Sequence, residues 1–174
     1  LLGVAQYANI EDNFVEMTTT LDKLDKIGEQ GVLQELDYRG IPHDSGVKIL
    51  ELIQESDPAV FEEKVCTTDA GKLGFEEVNR VKSYLSHTNL KNTVILDPTL
   101  ARGLSYYTGT IFEVESTETS MGSIAAGGRY ADLTSLFGLP DMSGVGISFG
   151  AERIYDIMET LERFPKEVSN TLSA

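Results

Sequence analysis

The chain has 174 residues and a mass of 19.1 kDa, room for one domain or for one domain carrying a smaller inserted one. Fourteen Lys+Arg against 28 Asp+Glu leave a net charge of −14, which excludes the strongly basic surface of a free-standing nucleic-acid binder, while 41% apolar residues suffice to bury a core. One cysteine, Cys66, excludes a disulfide framework and any multi-cysteine zinc site; with no apolar run near the ~20 residues of a membrane span and no basic start to Leu1–Ala8, the expected setting is cytoplasmic and away from membranes.

In chain order, Leu1-Leu2-Gly3-Val4-Ala5-Gln6-Tyr7 is an apolar, helix-like opening without methionine. Ser169–Ala174 is a polar, linker-like close, and the two ends together read as a piece of a longer polypeptide. Thr18–Thr20 followed by Leu21, Leu24 and Ile27 gives a polar helix start and apolar residues three apart. Val32, Leu33 and Leu36 continue it, and Gly40-Ile41-Pro42 breaks it. Val47, Ile49, Leu50, Leu52 and Ile53 make a second amphipathic helix ending near Ser56. Asp57-Pro58 is a cap followed by proline at the first helical position, opening a short helix through Val65. Val78, Val81, Tyr84 and Leu85 give a fourth helix, ending near His87–Asn89.

From Asn92 the period changes to that of strands. Thr93–Leu96 and Ser105–Glu115 have strand composition, and Gly144–Phe149 is a further short strand. Tyr130–Phe137 reads as a helical turn, and Ala151–Leu161 as a helix stopped before Pro165. The expected fold class is α+β, with a small all-helical unit over 20–90 beside a sheet with flanking helices.

Only three basic residues, Arg102, Arg129 and Arg153, stand among the acids and glycines between Asn92 and Glu162. Arginines beside glycines suit planar, bidentate donors held where a ligand can approach; the competing reading pairs each with a carboxylate such as Asp97, Glu113 or Asp132. Gly144-Val145-Gly146 fails as a dinucleotide fingerprint because Gly150 comes one residue late and no βαβ unit surrounds it. It does give a strand with small residues at alternate positions, Gly144, Gly146, Ser148 and Gly150, whose bare face can receive a flat ring. Tyr106 and Tyr107 are expected on opposite faces of a strand, one in the core and one offering its hydroxyl to a ligand. His43 and His87 lie far apart with no ligand partner at metal spacing, so no metal site is expected, and Cys66 reads as a half-buried structural residue.

These segments carry a resemblance. Leu100-Ala101-Arg102-Gly103-Leu104-Ser105-Tyr106-Tyr107-Thr108-Gly109-Thr110-Ile111-Phe112-Glu113 and Ser123-Ile124-Ala125-Ala126-Gly127-Gly128-Arg129-Tyr130 resemble the two histidine-specific signatures of histidyl-tRNA synthetases. Gly144–Ile154 is similar to motif 3 of class II aminoacyl-tRNA synthetases, and Leu21–Ile27 to the phrase leading into the family's helical insertion domain. The resemblance implies a catalytic-domain segment at 1–19, the insertion domain at 20–90, a catalytic part with part of the class II antiparallel sheet at 91–164, and a linker or tail at 165–174. Nothing resembles motifs 1 and 2 or the anticodon-binding domain, so the fragment alone is expected to be inactive.

The resemblance further implies condensation of L-histidine with ATP to histidyl-adenylate and transfer to tRNA(His), by a homodimer when intact. Mg2+ would accompany ATP, with ligands not identifiable in this chain. Arg102 would bind the α-phosphate and the histidine carboxylate as the catalytic residue. Tyr106 and Tyr107 would shape the histidine pocket, and Tyr130, after an expected Gly127-Gly128 turn, would close it. Arg153 would bind ATP, with Gly146 and Gly150 in the floor beneath it, while the insertion helices would lie over the tRNA acceptor stem. The family's signatures commonly have Asp at Ser105 and Asp-Gly at Ala131-Asp132, which implies altered hydrogen bonding around the pocket. The alternative is a synthetase-like regulatory subunit, of the ATP phosphoribosyltransferase type, without aminoacylation activity; retention of all the arginines and tyrosines disfavours it.

Overall fold

Six helices occupy the first part of the chain, and each has a local cause. The computed structural model describes residues 1–103, 106–130 and 133–165. These comprise α1 (Leu2–Tyr7), α2 (Phe14–Leu21), α3 (Leu24–Tyr38), α4 (His43–Ile53), α5 (Pro58–Val65) and α6 (Asp69–Ser86), with a 3-10 turn at Glu11–Asn13. The expected cap at Asp57 is present: its side chain accepts a hydrogen bond from the Ala59 N–H at 2.9 Å, and Pro58 opens α5. Thr68 caps α6 in the same manner, accepting from Gly71 N at 3.1 Å while donating to Val65 O at 2.9 Å. Gly40, at φ +84°, ends the α3 stop.

Thr18–Thr20 does not start a helix. Thr18 and Thr20 are fully buried inside α2, donating to Phe14 O and Glu16 O at 2.8 Å. Bonding back one turn satisfies a hydroxyl without a cap, which is why the sequence pattern misplaced the start. The stop falls at Asp22-Lys23, between α2 and α3.

The chain divides into two compact units, Leu1–Thr110 and Ile111–Ala174. In the first, one apolar core joins Val4, Met17, Leu21, Leu36, Ile41, Ile49, Leu52 and Ala101. Residues 1–19 therefore share a core with the helices after them. The units divide after Thr110 rather than at the change of period near Asn92. α1 and α6 cross with their backbones touching: a Cβ added to Gly3 would lie 2.6 Å from the Gly71 Cα. Only small residues permit that approach.

The second unit holds an antiparallel sheet in the order β1-β2-β3: Ile111–Glu115, Ser123–Tyr130 and Gly144–Phe149, with a 3-10 turn at Leu133–Phe137 and α7 at Ala151–Thr160. The α+β class, the strand at Gly144–Phe149 and the helix from Ala151 are as the sequence indicates. Three strand readings differ. Thr93–Leu96 is no strand and Ile95 is exposed, because an apolar run becomes a strand only beside a partner. Ser105–Glu115 is a strand only from Ile111. Gly127-Gly128 is not a turn but the middle of the central strand, Gly127 facing Phe112 on one side and Ile147 on the other. A Cβ at Gly127 would lie 2.1 Å from Gly146 O and 2.6 Å from the Phe112 ring, so the glycine serves close packing.

Candidate functional site

In the first unit the candidate residues follow a tight bend. The Asp97 carboxylate accepts from Thr99 N at 2.8 Å and Thr99 Oγ1 at 2.6 Å, and Ala101 is drawn into the core. Arg102 therefore emerges at the core's edge, more than half exposed, with Nε 3.5 Å from Asp22 Oδ1. That is longer than a charge-assisted hydrogen bond, so this carboxylate orients the guanidinium more than it consumes it. Asp22 as the partner of Arg102 is not visible in the sequence. It lies within the quoted phrase Leu21–Ile27, but a pairing across 80 positions leaves no periodic trace in a sequence.

Gly103 takes φ +67°, a left-handed conformation that glycine adopts freely. Its carbonyl accepts from both Tyr106 N (3.2 Å) and Tyr107 N (2.9 Å). The two tyrosines thus leave a turn rather than a strand and do not stand on opposite faces. Their rings are side by side, with centroids 4.4 Å apart and planes at 57°. Tyr106 is exposed, while Tyr107 is half-buried with its ring over Gly103, where a Cβ would lie 2.3 Å from Cδ2. The structure brings Tyr106 and Tyr107 together beside Gly103, and Arg102 together with Asp22.

In the second unit, the bare face of β3 does receive a flat ring, and that ring is Tyr130. A Cβ on Gly144 would meet Tyr130 Cε2 at 2.4 Å, and one on Gly146 would meet Cε1 at 3.1 Å. The opposite face of β3 carries Val145, Ile147 and Phe149, all exposed. At the sheet's other end Gly150 N donates to Ile124 O at 2.8 Å, which docks the start of α7. Arg153, one turn into that helix, donates from Nη1 to Ser123 O at 2.7 Å. This backbone bond fixes the direction of the side chain, with its charge unneutralised by that contact. Arg129, next to last in β2, is exposed and pairs opposite Val145. Tyr130 is thus grouped with Gly144 and Gly146, and Arg153 with Gly150. Ser105, Ala131 and Asp132 lie outside the described residues, as does the tail from 166 onward.

The other reactive side chains are engaged locally. His43 Nδ1 lies 3.0 Å from Asp37 Oδ2, and His87 Nδ1 2.7 Å from Ser83 O. Burial raises the Cys66 thiol pKa, with Glu62 adding to the effect, so the thiolate nucleophile is disfavoured. The Glu35 carboxyl is held below its usual value by hydrogen bonds from Lys23 (2.7 Å) and Arg39 (2.7 Å). Among the described residues no group of three or more His, Cys, Asp or Glu side chains is placed to hold a metal ion. No helix among them is long and apolar enough to cross a membrane.

The family model "Histidyl-tRNA synthetase" matches residues 16–154. The chain belongs to the histidyl-tRNA synthetase family. A histidine–tRNA ligase of Flavobacterium johnsoniae is 45% identical over 183 aligned positions, covering all of this chain and 38% of that protein. The corresponding ligase of Phocaeicola vulgatus is 43% identical, covering 98% of this chain and 38% of that protein. The crystal structure of a Nostoc histidyl-tRNA synthetase superimposes with a TM-score of 0.79 at 31% identity, over 94% of this chain and 40% of that one. The α+β fold is accordingly that of a class II synthetase of this family. The chain spans about two fifths of the length of these relatives.

Proposed function

We propose that this chain supplies part of the catalytic machinery of a histidine–tRNA ligase, which joins L-histidine to ATP as histidyl-adenylate and passes the histidyl group to tRNA(His). A carboxylate oxygen of histidine attacks the α-phosphorus and pyrophosphate leaves. Arg102, oriented by Asp22, stabilises the charge that builds on the α-phosphate, since a preorganised cation acts most strongly where charge develops. Tyr106 and Tyr107 line the histidine pocket. Arg153 holds the nucleotide beside Gly150, while the face expected at Gly146 for the nucleotide is taken by the Tyr130 ring. Mg2+ would arrive on the phosphates of ATP. The homodimer and the cytoplasmic setting belong to the full-length protein in the same reading.

The observation that carries the proposal is the family match over 16–154 in a chain that keeps Arg102, Tyr106, Tyr107, Tyr130 and Arg153. The test is histidine-dependent ATP–pyrophosphate exchange by a polypeptide of the relatives' full length carrying this sequence. Exchange should appear with histidine and not with other amino acids, and Arg102→Ala should lower it ~10²-fold or more, with a smaller effect on histidine binding. Absence of histidine-dependent exchange in the unmutated protein would overturn the activity. Near-normal exchange by the mutant would remove Arg102 from the chemistry.

A further inference from the structure

Arg102 and Asp22 are both rooted in the core of the helical unit. Leu21, the last residue of α2, is fully buried, and Leu24, the first of α3, packs against the same core. Between them lies the junction Asp22-Lys23, where Asp22 N donates to Thr18 O at 3.1 Å and Lys23 N to Thr20 O at 3.0 Å. The backbone of the junction is thus held on both sides. On the other side of the contact, Leu96 packs against this core and Ala101 lies within it, with the Asp97–Thr99 bend between them. Arg102 follows directly.

The two side chains of the junction take separate partners. Lys23 Nζ meets Glu35 Oε1 at 2.7 Å, a carboxylate that Arg39 shares, while Asp22 Oδ1 lies 3.5 Å from Arg102 Nε. A bland account exists: both members of the Asp22–Arg102 pair are about half exposed, and such surface pairs add little to stability. Stability is not the quantity at issue. A surface pair is weak mainly because two free side chains must be held in one geometry, and here a single core fixes both backbones. The contact is also made through Nε rather than through the terminal nitrogens, the fork of the guanidinium that suits bidentate recognition of a phosphate or carboxylate.

We propose that the helical unit takes part in the activation of the amino acid: through the α2–α3 junction, Asp22 is a positioning residue that aims Arg102 at the α-phosphate. The proposal rests on the synthetase reading for the task of Arg102. The family resemblance gives these helices a task toward tRNA; activation needs no tRNA, so this is a separate one. A charge aimed before the substrate arrives has no reorganisation left to make as the transition state forms. Loss of the aim is therefore felt in the rate more than in the affinity. A merely structural Asp22 would change stability and leave the kinetics of the folded protein as they were.

The test is histidine-dependent ATP–pyrophosphate exchange by the full-length protein. Asp22→Asn should lower kcat roughly 10-fold or more, while the KM values for ATP and histidine move by less than about 2-fold. Asp22→Glu, which keeps the charge, should recover most of the loss. Asp25→Asn removes an exposed carboxylate from the same segment and should exchange as the unmutated protein does. In an Arg102→Ala background, Asp22→Asn should cost less than about 2-fold more, because nothing is left to position. A second measurement needs no activity. In the isotope-labelled 174-residue chain, the Arg102 Nε–H resonance, identified by its absence from Arg102→Lys, should move in Asp22→Asn and stay in place in Asp25→Asn. Unchanged kcat in Asp22→Asn, an equal loss with and without Arg102, or an unmoved Arg102 resonance would overturn the proposal while leaving the synthetase reading intact. No histidine-dependent exchange by the unmutated protein would instead sink the synthetase reading, and the proposal with it.

Discussion

Two glycines three residues apart in α6, Gly71 and Gly74, should respond oppositely to the same substitution. In a helix, alanine is favoured over glycine by about 0.8–1.0 kcal/mol, because glycine gives up more backbone freedom on folding. A Cβ at Gly74 meets nothing within 4 Å, so Gly74→Ala should raise stability by up to that amount. A Cβ at Gly71 would stand 2.0 Å from Val65 O and 2.8 Å from Thr68 Oγ1, and the Gly3 backbone of α1 presses on the same residue. The nearest of these is backbone and cannot rotate away, so α6 must lift off the α5–α6 turn. Overpacking of this kind costs about 1–3 kcal/mol, and set against the propensity gain Gly71→Ala should be destabilising by up to roughly 2 kcal/mol net. Urea unfolding followed at 222 nm reads the first unit, which holds six of the seven described α-helices. With a urea m-value of about 1–3 kcal/mol/M, each kcal/mol moves the midpoint by about 0.3–1 M, so the two mutants should fall on opposite sides of the unmutated chain. A Gly71→Ala midpoint at or above that of the unmutated chain would refute the close contact of Gly71 with the α5–α6 turn.

Asp57→Ala and Thr68→Ala should each lower the same stability by about 1 kcal/mol, since each removes a side-chain acceptor from a helix N-terminus; no change in the urea midpoint would deny the caps their role. Glu35, with its pKa depressed by Lys23 and Arg39, contributes stability that is full above its unfolded value near 4.5 and is lost as pH falls through the folded value. Thermal melts of Glu35→Gln and the unmutated chain should therefore converge at acid pH and separate above about pH 4.5; a constant gap would refute the coupling. Tyr107→Phe, in the full-length protein, should weaken discrimination for histidine more than it slows exchange, and unchanged selectivity would move recognition to Tyr106 or Tyr130. The 174-residue chain alone should give less than about one per cent of the full-length exchange rate, because ligands held by one part of a site lose the effective concentration of the whole.

Much of this fold is legible in the sequence where the cause of an element is local. Asp57-Pro58 names its own helix start, and Ala151–Thr160 carries its apolar residues at helical spacing. β3 was legible because small and large residues alternate along it. Ser123–Tyr130 was not, since Ile124-Ala125-Ala126-Gly127-Gly128 shows no alternation and a glycine pair reads as a turn. Its strand identity is imposed by two neighbours, and its glycines by the Phe112 ring and the Gly146 carbonyl, none of which is nearby in sequence. The candidate site divides along the same line. Arg102, Tyr106, Tyr107, Tyr130 and Arg153 stand in motifs of fixed spacing. The Asp22 partner of Arg102, and the stacking of Tyr130 on Gly144 and Gly146, exist only after folding.

The touching of Gly3 and Gly71 also has a meaning for the order of events during synthesis. Residues 3 and 71 must find each other across the whole of α2 to α5, and closing a loop of that length costs about 4 kcal/mol of chain entropy before any contact offsets it. At ~5–20 residues per second, several seconds separate the emergence of one glycine from that of the other. Through that interval Gly3, between the core residues Val4 and Ala5 and the chain's start, has no α6 to lie against, so the nascent helical unit carries an incompletely covered α1 until its last helix arrives. A substitution that weakens the crossing would therefore act twice, once on the finished unit and once by lengthening the exposure of its first helix to aggregation or to a chaperone.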